Sequence, residues 1–255
     1  FRSIPGDAGV LECGRVVVTL VGARLAADDA RCVRTVLQKL DACGLAYAVT
    51  GGMALELGLR SLGRLRPFND IDVVVASFDT LPPALGAAFM VSHAHANRPV
   101  GKLALQLVDP EQRVRIDVFT ACGDTFARAR PAWIGDLQTK VVTLEDIASR
   151  IASELMGFCQ GDAVRPKYAD DHLRARRVVE VDAVERAWRE QRRRTDPSTY
   201  AEAAKRIDQA LRENTGRFEA TVYSTDIDSV CPHCRSTEHF KPAAPQSVLA
   251  ILGYC

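Results

Sequence analysis

Two aspartates separated by one residue, Asp70 and Asp72, stand at the start of the apolar run DIDVVV. In a β-strand the side chains alternate between faces, so both carboxylates point to one side while Ile71 and Val73 fill the other. Like charges at this spacing repel each other unless solvent or a cation relieves the repulsion, and a hard divalent metal ion does so directly. The spacing therefore indicates either a metal site or, more simply, a turn-capping Asp70 after Pro67 followed by an exposed Asp72.

A third aspartate, Asp117, lies in a second alternating run, RVRIDVF at residues 113–119. The alternation places Arg115 on the same face as Asp117, where its guanidinium either contacts a phosphate or, as we favour, neutralises the acids. Another alternating run, KLALQLV at 102–108, precedes it, and the Pro-containing connection between the two runs predicts a β-hairpin. We therefore expect the third acid to emerge from a strand edge.

Two adjacent glycines, Gly51 and Gly52, join a predicted buried strand at 45–49 to a helix predicted at 53–59. Glycine lets the backbone approach a phosphate closely, and the start of a helix offers free N–H groups and the positive end of its dipole. Three carboxylates from two strands can hold two divalent ions, which activate an attacking hydroxyl and neutralise a leaving pyrophosphate. The ordered set of glycine pair, acid pair and third acid predicts a phosphoryl-transfer site.

Hydrophobic spacing predicts the helices around these motifs. The segment 28–43 has helical spacing and ends at Gly44, and a helical stretch is expected near 81–89. Thr143 and Asp146 form a capping-box-like start for a further helix. We also expect helices at 169–193 and 200–214, separated by Asp196-Pro197-Ser198, and a short strand at 15–21.

The eight cysteines fall into two groups. Cys231 and Cys234, in the sequence CPHC, and the terminal Cys255 have the spacing of a zinc ribbon, whose thiolates bind a structural Zn²⁺. Its fourth ligand is either a residue lost beyond Cys255 or one of the histidines His233 and His239; alternatively, the knuckle cysteines carry no metal. Because the chain begins without Met and stops on a cysteine, we expect a fragment. The other cysteines are expected to be buried free thiols: Cys13, Cys32, Cys43, Cys122 and Cys159.

An arginine-rich segment runs from Arg174 to Arg194. Such residues on a helix usually form a solvated face, here pairing with Glu180, Glu185 and Glu190. The alternative is a surface for an RNA acceptor, because arginines bind phosphates well and zinc ribbons often accompany nucleic-acid binding. Its single aromatic residue, Trp188, does not make the interleaved pattern that would support base stacking.

The composition is that of a soluble globular protein, with 255 residues, a net charge of +1 and 47% hydrophobic residues. Nothing in this composition suggests disorder, and no window approaches the roughly 18 uncharged apolar residues of a membrane helix. A cytoplasmic protein with no membrane partner is therefore expected.

The order of elements predicts an α/β (α+β) fold. A small mixed β-sheet with flanking helices comes first, a helical domain follows, and a zinc-ribbon-like module ends the chain. The expected boundaries are an N-terminal extension at 1–27, a catalytic domain at 28–135, a helical domain at 136–217 and the tail at 218–255.

The runs GGMAL (51–55), NDIDVVV (69–75) and RIDVF (115–119) resemble motifs of the nucleotidyltransferase superfamily that shares the DNA polymerase β catalytic fold. The runs VVTLEDIASRIASEL (141–155) and RPKYADDHL (165–173) are similar to the helical segments that follow the catalytic sheet in bacterial members. Those members are related to abortive-infection toxins and to aminoglycoside or lincosamide nucleotidyltransferases. The resemblance covers residues 28–179.

The resemblance implies transfer of an NMP group from an NTP such as ATP, by in-line attack of an acceptor hydroxyl on the α-phosphorus with pyrophosphate leaving. It implies that Asp70, Asp72 and Asp117 are catalytic and bind two Mg²⁺ ions, and that Gly51 and Gly52 bind the nucleotide phosphates. Asp117 is then nearest the acceptor. Since a carboxylate between cations has a lowered pKa, Asp117 is expected to serve as a metal ligand more than as a base.

Two positions depart from the pattern of many such proteins. Arg150-Ile151 stands where a Lys-Leu pair is common, and Lys167-Tyr168 stands where a Lys-Asp pair is usual, so both places keep a positive charge. Lys167 is accordingly either a nucleotide-binding residue or a solvated lysine at a helix start. Asp171 falls where such proteins have a second acid.

Two functions follow from these observations. The first is a metal-dependent nucleotidyltransferase whose acceptor is a small molecule such as an aminoglycoside-like antibiotic, a tRNA end or a protein hydroxyl. The second is a non-catalytic nucleotide-binding or adaptor protein whose zinc ribbon engages nucleic acid or protein. The three aspartates favour the enzyme, because a protein that only binds a nucleotide does not need all three.

Overall fold

The computed structural model describes residues 27–59, 70–94 and 100–218, apart from the single positions 102, 113 and 135. The strand predicted at 15–21 lies outside these residues, and so do Cys13 and the proposed zinc ligands Cys231, Cys234 and Cys255 with the histidines near them.

A seven-stranded mixed sheet forms the centre of the described part of the chain. Its spatial order is β3-β4-β5-β2-β1-β7-β6. Two neighbouring pairs, β2 with β5 and β1 with β7, are parallel, and the other neighbours are antiparallel. The strands are β1 Tyr47–Val49, β2 Asp70–Val75, β3 Met90–Ala94, β4 Leu103–Asp109, β5 Val114–Thr120, β6 Arg130–Ile134 and β7 Leu137–Val141.

Helices flank this sheet and continue the chain beyond it, so the predicted mixed α/β architecture is confirmed for the described residues. A small parallel pair, β8 Ala163–Val164 and β9 Arg217–Phe218, lies among the later helices. The domain boundaries stay predictions. The helices are α1 Ala27–Ala42, α2 Gly51–Leu59, α3 Leu85–Ala88, α4 Thr125–Arg128, α5 Leu144–Leu155, α6 Pro166–Ala175, α7 Val181–Gln191 and α8 Tyr200–Glu213.

Local capping explains several element boundaries. The Thr143 hydroxyl accepts a hydrogen bond from the backbone N–H of Asp146, which confirms the predicted start of α5. In the predicted hairpin of β4 and β5, a carboxylate oxygen of Asp109 accepts from the N–H groups of Glu111 and Gln112, both at 2.9 Å. This arrangement satisfies the turn's backbone donors and sets the register between the two strands.

Two helix predictions were wrong in extent. The stretch at 81–89 contains only the four-residue α3, because Pro82 and Pro83 lack the N–H groups that a longer helix needs. The helix expected over 169–193 is two helices, α6 and α7. Between them the Glu180 carboxylate accepts hydrogen bonds from the N–H groups of Asp182 and Ala183, at 3.1 and 2.7 Å, and starts a new helix.

One apolar core connects the sheet with the helices. Val36, Leu37 and Leu40 of α1 are fully buried, as are Ile71 and Val73 on the face of β2 opposite the acids. In the later helices the largest buried side chain is Trp188, whose indole N–H donates to the carbonyl of Pro197 at 3.3 Å. The acid-bearing strands are therefore anchored by their apolar faces, which leaves their polar faces available for a site.

Four of the cysteines expected to be buried free thiols are described, and all four are free. They are half-buried, so the prediction of full burial was wrong for Cys32, Cys43, Cys122 and Cys159. Among the described residues, no helix combines the length and the apolar character that crossing a membrane requires.

Candidate active site

The parallel pairing of β2 and β5 brings the three predicted acids together. Asp72 lies opposite Asp117 in the register, and Asp70 lies opposite Arg115. One carboxylate oxygen from each of Asp70, Asp72 and Asp117 falls within 4.8 Å of the others. The alternative in which Asp72 is simply an exposed strand residue does not fit this geometry, since Asp72 is half-buried and lies beside the other two acids.

Burial and mutual repulsion both oppose the ionisation of these acids. Burial, together with the charges of Asp70 and Asp117, raises the pKa of Asp72 to about 7. Burial and the charge of Asp70 likewise raise the pKa of Asp117 to about 6, against the opposing effect of the Arg115 guanidinium. The cluster therefore favours any cation that can lie among its oxygens.

Arg115 supplies part of that positive charge. Its guanidinium donates a hydrogen bond to the Asp70 carboxylate and forms an ion pair with Oδ1 of Asp117, at an Nε to Oδ1 distance of 3.2 Å. Of the two roles weighed for Arg115, neutralising the acids is the one that these contacts support.

A second neighbour of Asp117 is Gln106 on β4. The two residues are directly opposite each other in the antiparallel pairing of β4 and β5. The Gln106 amide Nε2 donates to Asp117 Oδ1 at 2.9 Å, and the residue is 1% exposed. The sequence analysis missed this residue, although a single amide within the apolar run LALQLV is a signal that could have indicated it.

The glycine pair lies at the start of α2, which begins at Gly51 rather than at the predicted Met53. Gly51 has a φ of +64°, and a Cβ built there would lie 1.8 Å from Oδ2 of Asp72. At Gly52 a Cβ would meet no atom within 4 Å. Gly51 is thus needed for the close contact with Asp72, whereas Gly52 leaves open space beside the helix start.

Three cationic side chains, from α5, from the N-cap of α6 and from α6 itself, act on the acids. The positive charges of Arg150 and Lys167 act to lower the pKa of Asp72, and that of Arg165 acts to lower the pKa of Asp117. Arg150 lies over the ring of Phe119, with its guanidinium carbon 4.2 Å from the ring centroid. Arg165 is a further site neighbour that the sequence analysis did not single out.

Two further residues singled out in the sequence, Lys167 and Asp171, differ in their exposure to solvent. Lys167 is exposed in the first turn of α6, with Nζ 5.6 Å from the ring centroid of Tyr168. Asp171 is buried, 3.9 Å from the Arg174 guanidinium, and it does not belong to the three-acid cluster of the described residues.

A cavity of about 270 Å³ lies between the sheet and the helices α5 and α7. Its wall includes Thr50, whose backbone N–H donates to the carbonyl of Asp72 at 2.8 Å, so the cavity adjoins the acid cluster. Other lining residues come from β2, β5, α5 and α7, including Val74, Thr120, Arg150 and Gln191.

The arginine-rich segment is ion-paired mainly with acids other than the predicted ones, although the charge of Arg186 adds to the lowering of the Glu190 pKa that Arg128 dominates. Glu180 caps α7, Glu185 accepts from the N–H groups of Tyr200 and Ala201, and Glu190 binds Arg128. The segment's arginines instead contact acids of other elements. These pairs are Arg174 with Glu56, Arg176 with Asp208, Arg193 with Glu154 and Arg194 with Asp162.

No protein-family model matches the chain, and no curated protein matches it significantly. Among solved structures, an antigenic nucleotidyltransferase-like protein from Paracoccidioides brasiliensis is 18% identical, with a TM-score of 0.42 over 77% of this chain and 96% of that one. The antibiotic-resistance factor ANT(2'')-Ia is 15% identical, with a TM-score of 0.36 over 74% of this chain and 94% of that one. Both TM-scores are below 0.5, so neither likeness carries an argument about this chain.

Proposed function

We propose that the protein is a metal-dependent nucleotidyltransferase that moves an NMP group from an NTP to an acceptor hydroxyl and releases pyrophosphate. The observation that carries this proposal is the convergence of Asp70, Asp72 and Asp117, with one oxygen of each within 4.8 Å of the others. Asp72 also contacts the glycine start of α2.

The three carboxylates suit a hard divalent cation. Mg²⁺ prefers oxygen ligands, and burial together with the neighbouring acids raises the pKa values of Asp72 and Asp117, an effect that a bound cation would oppose. We assign Asp70 and Asp72 as ligands of both proposed Mg²⁺ ions and Asp117 as a ligand of one. Bound Mg²⁺ would lower the pKa of the acceptor hydroxyl and offset the negative charge of the leaving pyrophosphate.

The chain's own residues would bind the triphosphate. The first N–H groups of α2 are unpaired within the helix and lie at its positive end, next to the open space at Gly52. Lys167, Arg150 and Arg165 add positive charge around the acids. Lys167 is the exposed member of this set, which suits a contact with a phosphate that arrives from solvent.

The acceptor remains one of three classes, namely a small molecule, a tRNA end or a protein hydroxyl. The adjoining cavity of about 270 Å³ offers space for part of one substrate. Contact with RNA through the arginine-rich segment receives no support from its side chains, because several of its arginines are already ion-paired with acids.

The test is label transfer from each α-³²P-labelled NTP with Mg²⁺ to total cell RNA, to small-molecule pools or to the protein itself. Wild-type protein is compared with Asp72→Asn and with Asp182→Asn, which changes an exposed aspartate on α7. Transfer by wild type and Asp182→Asn, but not by Asp72→Asn, is expected. Binding of the nucleotide without transfer by the wild type would favour the non-catalytic alternative.

A further inference from the structure

We propose that Gln106 is a positioning residue, which holds the Asp117 carboxylate in the orientation required to bind a divalent cation. This inference rests on the proposed function, because it concerns the same acid cluster. It adds a residue from a neighbouring strand that is itself neither a metal ligand nor a phosphate contact in the proposed reaction.

The position of Gln106 is unusual for its strand. All seven residues of β4 are buried, and Gln106 interrupts an otherwise apolar stretch from Leu103 to Val108. A buried amide is unfavourable unless its polar atoms are hydrogen-bonded, whereas leucine would fit such a strand without that requirement. The amide is therefore explained by what it contacts on the next strand, Asp117.

The contact fixes one oxygen of Asp117. Gln106 Nε2 donates to Oδ1 at 2.9 Å, and the ion pair from Arg115 Nε reaches the same oxygen at 3.2 Å. Rotation of the carboxylate about its Cβ–Cγ bond would break both contacts. The pairing of β4 with β5 places the backbones of Gln106 and Asp117 directly opposite, so the donor has little freedom to follow such a rotation.

The group that donates to Asp117 is the amide of Gln106, which carries no charge. A lysine or arginine in this place would add a second positive charge beside that of Arg115, and the added charge would compete with a cation for the same carboxylate. Glutamine orients the oxygen without adding positive charge to the cluster. Residues of this kind next to metal ligands typically change metal affinity by about 10- to 100-fold when they are replaced.

The experiment measures Mn²⁺ binding to the full chain by electron paramagnetic resonance, for wild type, Gln106→Leu and Gln138→Leu. Gln138 is an exposed glutamine on β7, three strands from β5, and serves as the matched control. We expect Gln106→Leu to keep its circular dichroism spectrum and to bind Mn²⁺ at least about tenfold more weakly. We expect Gln138→Leu to bind as wild type does.

Two further variants complete the design. Gln106→Met, with a flexible side chain of similar length, replaces Gln106→Leu should that variant not fold. Gln106→Asn keeps the amide on a shorter side chain and should also lose affinity, since its amide falls short of Asp117. Mn²⁺ affinity in a folded Gln106→Leu or Gln106→Met variant equal to that of the control would overturn the inference. Absence of Mn²⁺ binding by the wild type would instead overturn the proposed metal-dependent function.

Discussion

Gly51 and Asp72 contact each other so closely that no side chain fits between them. A Cβ at Gly51 would lie 1.8 Å from Oδ2 of Asp72 and 2.8 Å from its Cβ, which is far inside van der Waals contact. The backbone hydrogen bond from Thr50 N–H to the Asp72 carbonyl, at 2.8 Å, fastens the same segment to β2. The glycine thus determines where the central carboxylate of the cluster can lie.

The two glycines should therefore respond differently to substitution. Gly51→Ala forces Asp72 to move and places a side chain at a φ of +64°, so we expect transfer activity to fall at least about 100-fold and stability to fall by about 1–2 kcal/mol. Gly52→Ala has free space and should leave Mn²⁺ binding and stability intact while weakening NTP binding. Label transfer at saturating NTP, thermal denaturation, and calorimetry with Mn²⁺ and NTP measure these effects. Equal transfer activity in the two variants would contradict this account.

The pH dependence of stability should report the raised pKa of Asp72. Because burial and the neighbouring acids raise that pKa to about 7, the unfolded chain loses this proton at lower pH than the folded chain does. The free energy of unfolding therefore falls as the pH rises from about 4 to about 7. Asp72→Asn removes this loss and, without divalent ions, should be more stable than wild type at pH 8 by about 1–3 kcal/mol.

Urea denaturation at pH 4 and pH 8 in the presence of a chelator measures the difference in unfolding free energy between Asp72→Asn and the wild type. It should be close to zero at the lower pH and should reverse at pH 8 when Mg²⁺ is added, because only the wild type gains from binding the ion. Asp182→Asn, on the exposed surface of α7, is the control. A stability difference independent of pH would argue against the assignment.

Arg115 should behave as a built-in counter-charge. Its contacts with Asp70 and Asp117 offset two of the three acids, so Arg115→Met should lower the melting temperature in the absence of divalent ions. Mg²⁺ should raise that temperature by more in Arg115→Met than in the wild type, since the ion then supplies the missing charge. If Mg²⁺ leaves the melting temperature of Arg115→Met unchanged, Arg115 does not share the cation site.

Replacement of Lys167 tests the proposed nucleotide-binding role without affecting the stability of the fold. It is exposed and its charge acts on Asp72. We expect Lys167→Ala to raise the KM for NTP by about 5- to 30-fold, as the loss of one charged hydrogen bond to a phosphate does, with an unchanged melting temperature. Lys205→Ala, at an exposed position on α8, should leave both quantities at wild-type values. An unchanged KM in Lys167→Ala would indicate a solvated surface lysine.

The junction between α4, α5 and α7 provides a stability prediction. Arg128 binds the buried Asp146 at 2.7 Å and Glu190 at 2.8 Å. Arg128→Ala leaves the Asp146 carboxylate, which is 1% exposed, without its cationic partner, so we expect destabilisation of about 3 kcal/mol. The exposed Arg189→Ala on α7 should change stability by less than about 0.5 kcal/mol. Chemical denaturation of both variants makes the comparison.

Much of the site was predictable because its signals are local. Alternation along β2 and β5 is a property of neighbouring residues, and it correctly placed Asp70 with Asp72 and Arg115 with Asp117. Capping by Thr143 is local in the same sense. The helix prediction was wrong where helical spacing of apolar residues continues across a break between two helices. The helix expected over 169–193 is two helices, since α6 ends at Ala175 and α7 begins after its cap Glu180.

By itself, the sequence determined which face of each strand carries the acids and that the glycine pair leads from a strand into a helix, although α2 begins at Gly51 rather than at the predicted Met53. Only the tertiary structure decided that Asp72 lies opposite Asp117, that Gln106 donates to that carboxylate and that Arg115 connects Asp70 with Asp117. The physical reason is that side-chain periodicity depends on adjacent residues, whereas strand order and register depend on how whole elements pack. Ion-pair partners also depend on how whole elements pack. Arg174 on α6 therefore pairs with Glu56 on α2, and Arg176 in the following turn pairs with Asp208 on α8.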